Sequence, residues 1–390
     1  MKLRPAAPVR LGIVGVGGMG SWHARSVLAG RAGRVKLAAV CDVVPEAMAP
    51  FEGVQKFEDS RKLIRSGAVD AVLIATPHFL HTPVAIDAMG AGLHVLTEKP
   101  VAVHKADAIR MVRAHAKSPG AVFAVMFQTR TSSLFRRLRS LLQSGELGPL
   151  SRIHWTVTDW FRADAYYASG GWRATWKGEG GGVLTNQCVH NLDAWAWLFG
   201  MPKTVRGWCG FGKYHPIEVE DDVTAFFEYP NGLTGLFVTS TGEAPGYNRM
   251  EIVGDRGHVV VEKGAITFMR NEVSAKAFAR SSRNAYDVPD CWEVSVPAGR
   301  EPADHSRVIA NFADAILNGA PLIAPAEEGL NQVELSNSIV LSALTGKTVA
   351  LPMNAALFER TLRGLIRKSK RRLGVKARAV GEKPRYIVGS

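Results

Sequence analysis

At 390 residues, with 46% hydrophobic and 21% charged residues, the chain has ordinary globular composition and enough length for two hydrophobic cores. Cys41, Cys188, Cys209 and Cys291 are scattered with no CxxC pair, which argues against a disulfide framework or zinc site, and no apolar run reaches the roughly 20 residues of a membrane span. The net charge of +13 is largely terminal: Ala355 to Ser390 holds eleven Lys and Arg against Glu359 and Glu382, so the body is only mildly basic and nucleic acid is not expected as a partner.

The first apolar run is cut by Arg10 and turns glycine-rich, unlike a secretory leader, so a cytoplasmic protein is expected. Val9 to Val14 reads as a strand, then come glycines and a helix from Met19 to Leu28. Further strands are expected at Val35 to Cys41, Ala68 to Ala75, His94 to Thr97 and Ala121 to Met126, with helices at Pro83 to Ala91 and Lys105 to Lys117. This alternation predicts a doubly wound parallel α/β sheet over residues 1–127.

From residue 128 to 354 the pattern changes to alternating segments, among them Arg152 to Thr158, Val223 to Tyr229, Leu233 to Thr239, Met250 to Val253 and His258 to Glu262. They predict a second, α+β domain with an open, largely antiparallel mixed sheet. Helices are expected at Leu134 to Gln143, Cys188 to Leu198, Ser306 to Leu317, Ala326 to Leu344 and Leu357 to Lys370. Residues 355–390 read as a basic helix and tail.

Gly15-Val16-Gly17-Gly18-Met19-Gly20 fits GxGxxG between a strand and a helix, with Asp42 about twenty residues on at the next strand end. Glycines let a pyrophosphate approach the backbone and the helix N-terminus, and Asp42 would bind the adenosine ribose hydroxyls and repel a 2′-phosphate. The motif in this context predicts NAD in preference to NADP.

Glu98-Lys99-Pro100 follows a strand end, where open α/β sheets place ligand-contacting groups. An isolated lysine is usually a solvated charge; a partly buried one in a cationic setting exchanges protons with a substrate hydroxyl. After Gly180-Gly181-Gly182, the residues Asn186, His190 and Asp193 would share one helix face, either as an active face or as a satisfied histidine at a helix start.

As a set these residues resemble the glucose-fructose oxidoreductase, inositol dehydrogenase and rhizopine catabolism family. The resemblance runs from Val9 to Pro352 and rests on the glycine loop, Ala75-Thr76-Pro77 with His81, Glu98-Lys99-Pro100, Trp172-Arg173, and Gly180 to Asp193. It implies catalysis by Lys99 and His190 with Asn186 positioning, and assembly into homodimers or homotetramers. The cofactor would be held by the glycine loop, Asp42, Thr76, Pro77, His78, His81, Glu98, Lys99, Gln128, Trp172 and Arg173. Asn186, Asp193 and His190 would join Lys99 in holding substrate, and Gln128, Arg130, Tyr166 and Asp222 are weaker candidates for hydroxyl contacts, each more often structural. No metal is expected. The commonest pattern has aspartate where Asn186 stands, so a carboxylate is lost here.

The resulting expectation is an NAD-dependent oxidoreductase moving a hydride to or from a secondary alcohol or ketone carbon of a sugar, glycoside or cyclitol. Two other readings stay open. A redox-neutral glycosidase would release an aglycone without accumulating NADH, and a non-catalytic NAD-sensing protein would bind partners through its basic tail.

Overall fold

The computed structural model describes residues 7–369; the predicted tail beyond Ser369, with Lys370, lies outside the described residues. Strands β1 (Val9–Val14), β2 (Val35–Cys41), β3 (Gln55–Phe57), β4 (Ala71–Ile74), β5 (His94–Thr97) and β6 (Phe123–Val125) form one parallel sheet in the order β3-β2-β1-β4-β5-β6. The order reverses between β1 and β4, which opens a crevice at their carboxyl ends. All of β4 and all but one residue of β1 are buried, because helices cover both faces. The short edge strand β3 falls in a stretch with no apolar alternation and was not anticipated.

A second, nine-stranded sheet contains β7 (Leu150–Val157), β8 (Thr204–Phe211), β9 (Glu220–Glu228), β10 (Thr234–Ser240), β11 (Asn248–Gly254), β12 (Gly257–Glu262), β13 (Ala265–Asn271), β14 (Cys291–Val296) and β15 (Val349–Ala350). Its order is β14-β13-β12-β11-β7-β10-β9-β8-β15, with β7 and β10 parallel and the other pairs antiparallel. Buried and half-buried residues alternate along β9 and β10: one face packs on helices and the other is uncovered. The packed face meets Trp195, whose ring stacks on Trp155 and whose indole N–H donates to the Tyr229 hydroxyl at 2.8 Å. Among the described residues no helix is long and apolar enough to cross a membrane.

The chain does not leave the first sheet for good at residue 127. Val308, Ile309, Phe312 and Ala313 of the helix His305–Asn318 pack against Leu11, Ile13 and Val27, and Ala324, Ala326 and Val333 join the core on the other face. The first core is therefore closed by segments nearly two hundred residues downstream.

Candidate active site

Two of the loop glycines, Gly15 and Gly20, are required by packing. Gly15 has φ +87° and a Cβ there would lie 2.7 Å from the Ala75 carbonyl oxygen, while a Cβ at Gly20 would fall 1.8 Å from Gly15 O. Gly17 and Gly18 instead look onto open space. The helix Gly18–Leu28 starts there with no side-chain cap and no acidic residue in its first turn, leaving N–H groups and the positive end of the helix dipole available to an anion. Asp42, just past β2, accepts from Val16 N at 2.8 Å and Val44 N at 3.0 Å, so its carboxylate is held beside the loop. Across the crevice the hydroxyl oxygen of Thr76 is buried without a partner. Open space over the glycines, an uncapped helix start, a fixed acid and an orphaned hydroxyl suit a dinucleotide.

Other residues expected at the cofactor do different work. His81 is fully buried, with ring nitrogens 2.9 Å from Thr76 O and 2.8 Å from Pro100 O, so it staples the end of β4 to the segment after β5 rather than meeting a ligand. His78 is buried with Nδ1 3.2 Å from Glu179 O, and the edge of Trp172 lies against it. Glu98 is buried with Oε1 2.6 Å from His23 Nε2. Burial opposes its charge, but the His23 hydrogen bond and the nearby His305 and Lys99 hold the carboxyl down to about 2.

Lys99 is half-buried, and its Nζ donates to Asn186 O at 2.9 Å. Burial pushes the ammonium below its ordinary range, Arg173 and Arg162 push the same way, and Glu98 and Glu179 oppose them. Gln128 Nε2 lies 3.0 Å from His190 Nε2, while His190 Nδ1 and Gln128 Oε1 are buried without partners. Burial, together with Lys99 and His305, holds the His190 imidazole well below its usual range. Lys99, Asn186, His190 and Gln128 thus form one cluster beyond the carboxyl ends of β5 and β6.

Asn186, His190 and Asp193 do not share a helix face. The helix runs Val189–Phe199, and Asn186 lies in the turns before it with its Nδ2 donating to Glu179 Oε1. Asp193 points away from the cluster, its carboxylate clamping Arg130 at 2.6 and 3.0 Å, and Arg130 also binds Glu328 and Ile323 O. Both are essentially sealed, so the expected substrate role of Arg130 and Asp193 gives way to a buried ion pair between segments. Asp222 pairs with Lys213 at 2.7 Å on β9. Tyr166 accepts from Arg173 Nη1 at 2.9 Å and Gln187 Nε2 at 3.3 Å, which places it on the Trp172-Arg173 wall.

Two carboxylates escaped the sequence reading. Glu179 is 3% exposed and Glu220 is fully buried; both flank the Gly180–Gly182 run. Glu220 Oε1 accepts from Gly182 N at 2.8 Å and Leu184 N at 3.2 Å, and burial pushes its carboxyl up to about 7. The available signal was an acid set directly against three consecutive glycines, a segment that must pack closely.

The family model for the oxidoreductase family with NAD-binding Rossmann fold matches residues 9–127, and that for the GFO/IDH/MocA C-terminal domain matches residues 135–260. Inositol 2-dehydrogenase of Corynebacterium glutamicum is 31% identical over 49% of this chain, a match that spans only about half of that protein, 54% of its length. Inositol 2-dehydrogenase of Salmonella typhimurium is 24% identical over 88% of this chain and 97% of its own. The WlbA dehydrogenase of Chromobacterium violaceum, solved in complex with NADH and UDP-GlcNAcA, superposes with a TM-score of 0.77 at 26% identity, covering 91% of this chain and 100% of that one. The chain belongs to the GFO/IDH/MocA family of NAD-binding oxidoreductases.

Proposed function

We propose that this chain is a cytoplasmic NAD-dependent dehydrogenase that oxidises a secondary alcohol of a sugar or cyclitol, or reduces the matching ketone. The observation that carries the reading is the convergence of Lys99, held on Asn186 O at 2.9 Å, and His190, held by Gln128 at 3.0 Å, beyond the strand ends beside the glycine loop. The names of the relatives, two inositol 2-dehydrogenases and a dehydrogenase solved with NADH and UDP-GlcNAcA, agree with it. NAD, when bound, supplies the acceptor for the substrate's hydride. Gly15 to Gly20 and Asp42 would hold it, and the Asp42 charge disfavours the 2′-phosphate of NADP.

His190, neutral in its buried setting, takes the hydroxyl proton on Nε2, the nitrogen that otherwise accepts from the Gln128 amide, and its ring is held by that hydrogen bond and by the edge-on ring of Phe127. Lys99 directs a second N–H to the same oxygen and stabilises the charge that develops on it. Asn186 fixes Lys99 through its carbonyl. The uncovered face of the large sheet carries the cross-strand row Arg206, Phe226, Leu236, His154, Glu251 and Val260, with Trp208 beside it 53% exposed. That mixed apolar and charged surface supports a homodimer or homotetramer.

The test is purified protein with NAD or NADP against free sugars, cyclitols, sugar acids and aryl glycosides, following reduced nicotinamide and released aglycone together. Reduced cofactor from NAD and one polyol is expected. Aglycone without net reduction would replace the reading with a redox-neutral glycosidase, and a monomer by light scattering would remove the assembly from it.

A further inference from the structure

Glu179 sits between Gly178 and Gly180, and neither neighbour tolerates a side chain: a Cβ would lie 2.1 Å from Trp172 O at the first and 2.2 Å from Val103 Cγ1 at the second. The acid is therefore pinned in a closely packed turn, 3% exposed. Its Oε1 accepts from Asn186 Nδ2 and its Oε2 from Ala174 N at 2.7 Å, both neutral donors. Its backbone oxygen meets His78. One residue thus ties together the Trp172-Arg173 wall, His78, and the asparagine whose carbonyl holds Lys99 Nζ.

The groups that act electrostatically on Lys99 are the anions Glu98 and Glu179 and the cations Arg162 and Arg173, with His78, His81, His190 and His305 around it. Glu98 already shares its charge with His23. Among the described residues Glu179 has no ion pair, and the cations that act on its charge are Arg173 and Lys99. A buried carboxylate whose hydrogen bonds come from neutral donors leaves its charge to nearby cations, here Arg173 first and Lys99 after it.

We propose that Glu179 is a positioning residue for Lys99, a buried carboxylate that fixes the Asn186 amide and supplies negative charge to the lysine, so that the acid absent from position 186 is provided from seven residues upstream. The proposal rests on the reading of Lys99 as the group at the substrate oxygen. Burial alone shifts the two groups toward neutrality, Glu179 upward and Lys99 downward, and each charge offsets the other's cost.

The full chain is treated with trace acetic anhydride from pH 6 to 11, and acetylation of Lys99 is quantified by peptide mass spectrometry for wild type, Glu179→Gln, Asn186→Asp and the double variant. In E179Q the labelling midpoint is expected at lower pH, with Lys99 reacting about three- to tenfold faster below it. N186D adds a carboxylate and moves the midpoint up, and the double variant returns it toward wild type. NADH binding and circular dichroism verify folding; if E179Q does not fold, Glu179→Asp, which keeps the charge but draws it back from Asn186, is labelled in its place and its midpoint is expected below that of wild type. An unmoved Lys99 midpoint in a folded variant overturns the proposal even if Lys99→Ala abolishes turnover. A moved midpoint with no NAD-linked turnover on any polyol leaves Glu179 in place and sinks the dehydrogenase reading instead.

Discussion

The molecule has two glycine-rich loops, and they use glycine for opposite reasons. In Gly15 to Gly20 the middle glycines face open space, so a missing side chain leaves room for a ligand. In Gly180 to Gly182 each absent Cβ would strike protein: Val103, Thr185 Oγ1 at 2.1 Å, and Glu220 O at 2.0 Å. That run leaves room for the chain itself, bringing the turns that carry Glu179 and Asn186 against β9. A glycine cluster therefore signals close approach, and only the surroundings say what approaches.

The largest effect expected from this contrast is chemical. Replacing Lys99 by Met, or His190 by Asn, should lower turnover by about 10²- to 10⁴-fold while NADH binding by fluorescence stays within error, because these side chains serve the second loop's cluster and not the first loop. Next in size is Gly182→Ala, expected to cost about 3 kcal/mol in urea unfolding, since backbone rather than a flexible tip would have to move.

A smaller effect of opposite sign should come from Glu220→Gln, which keeps an acceptor for Gly182 N and Leu184 N. Because the folded carboxyl titrates near 7, above its unfolded value, the native state holds a proton that the unfolded chain has already lost. Stability contributed by this site thus falls as pH rises from about 4 to 7. The variant should be more stable than wild type by about 1–3 kcal/mol at pH 8, with the gain disappearing below about pH 4.5 in parallel melts.

The smallest expected change is at the first loop. Gly18→Ala should leave the melting temperature unchanged and weaken NADH binding by about tenfold, roughly 1.4 kcal/mol. A G18A protein that melts early, or a G182A protein that does not, would erase the difference between the loops.

Much of the fold was legible because its signals are local. β1, β2 and β5 lie where apolar runs end in Gly15, Asp42 and Glu98, and the expected helix starts agree within a residue or two except that from Ala326, where a short 3-10 turn comes first and the helix begins at Gly329. The strands β8, β13, β14 and β15 were missed: Gly207 and Gly210 interrupt β8, β14 is exposed along most of its length, and β15 is two residues long, so none of these three carries a clean alternation. At the site, Lys99, Asn186 and His190 were picked out by motif and meet in one cluster. Arg130 and Asp193 carried the same kind of signal and proved to be each other's partners, because sequence spacing does not report which buried charge a guanidinium reaches.

The amino-acid order alone determined the alternating α/β half, the glycine turn with its acid at the end of β2, and the residue types able to move a proton, since each depends on neighbours within a few turns of chain. Tertiary structure decided that the helix Val189–Phe199 begins after Asn186, that a helix from residue 305 closes the first core, and that Glu179 meets the Asn186 amide whose carbonyl holds Lys99. Those outcomes depend on which distant atoms share a desolvated space, and burial there, not sequence position, sets both the partners and the charge of an ionisable group.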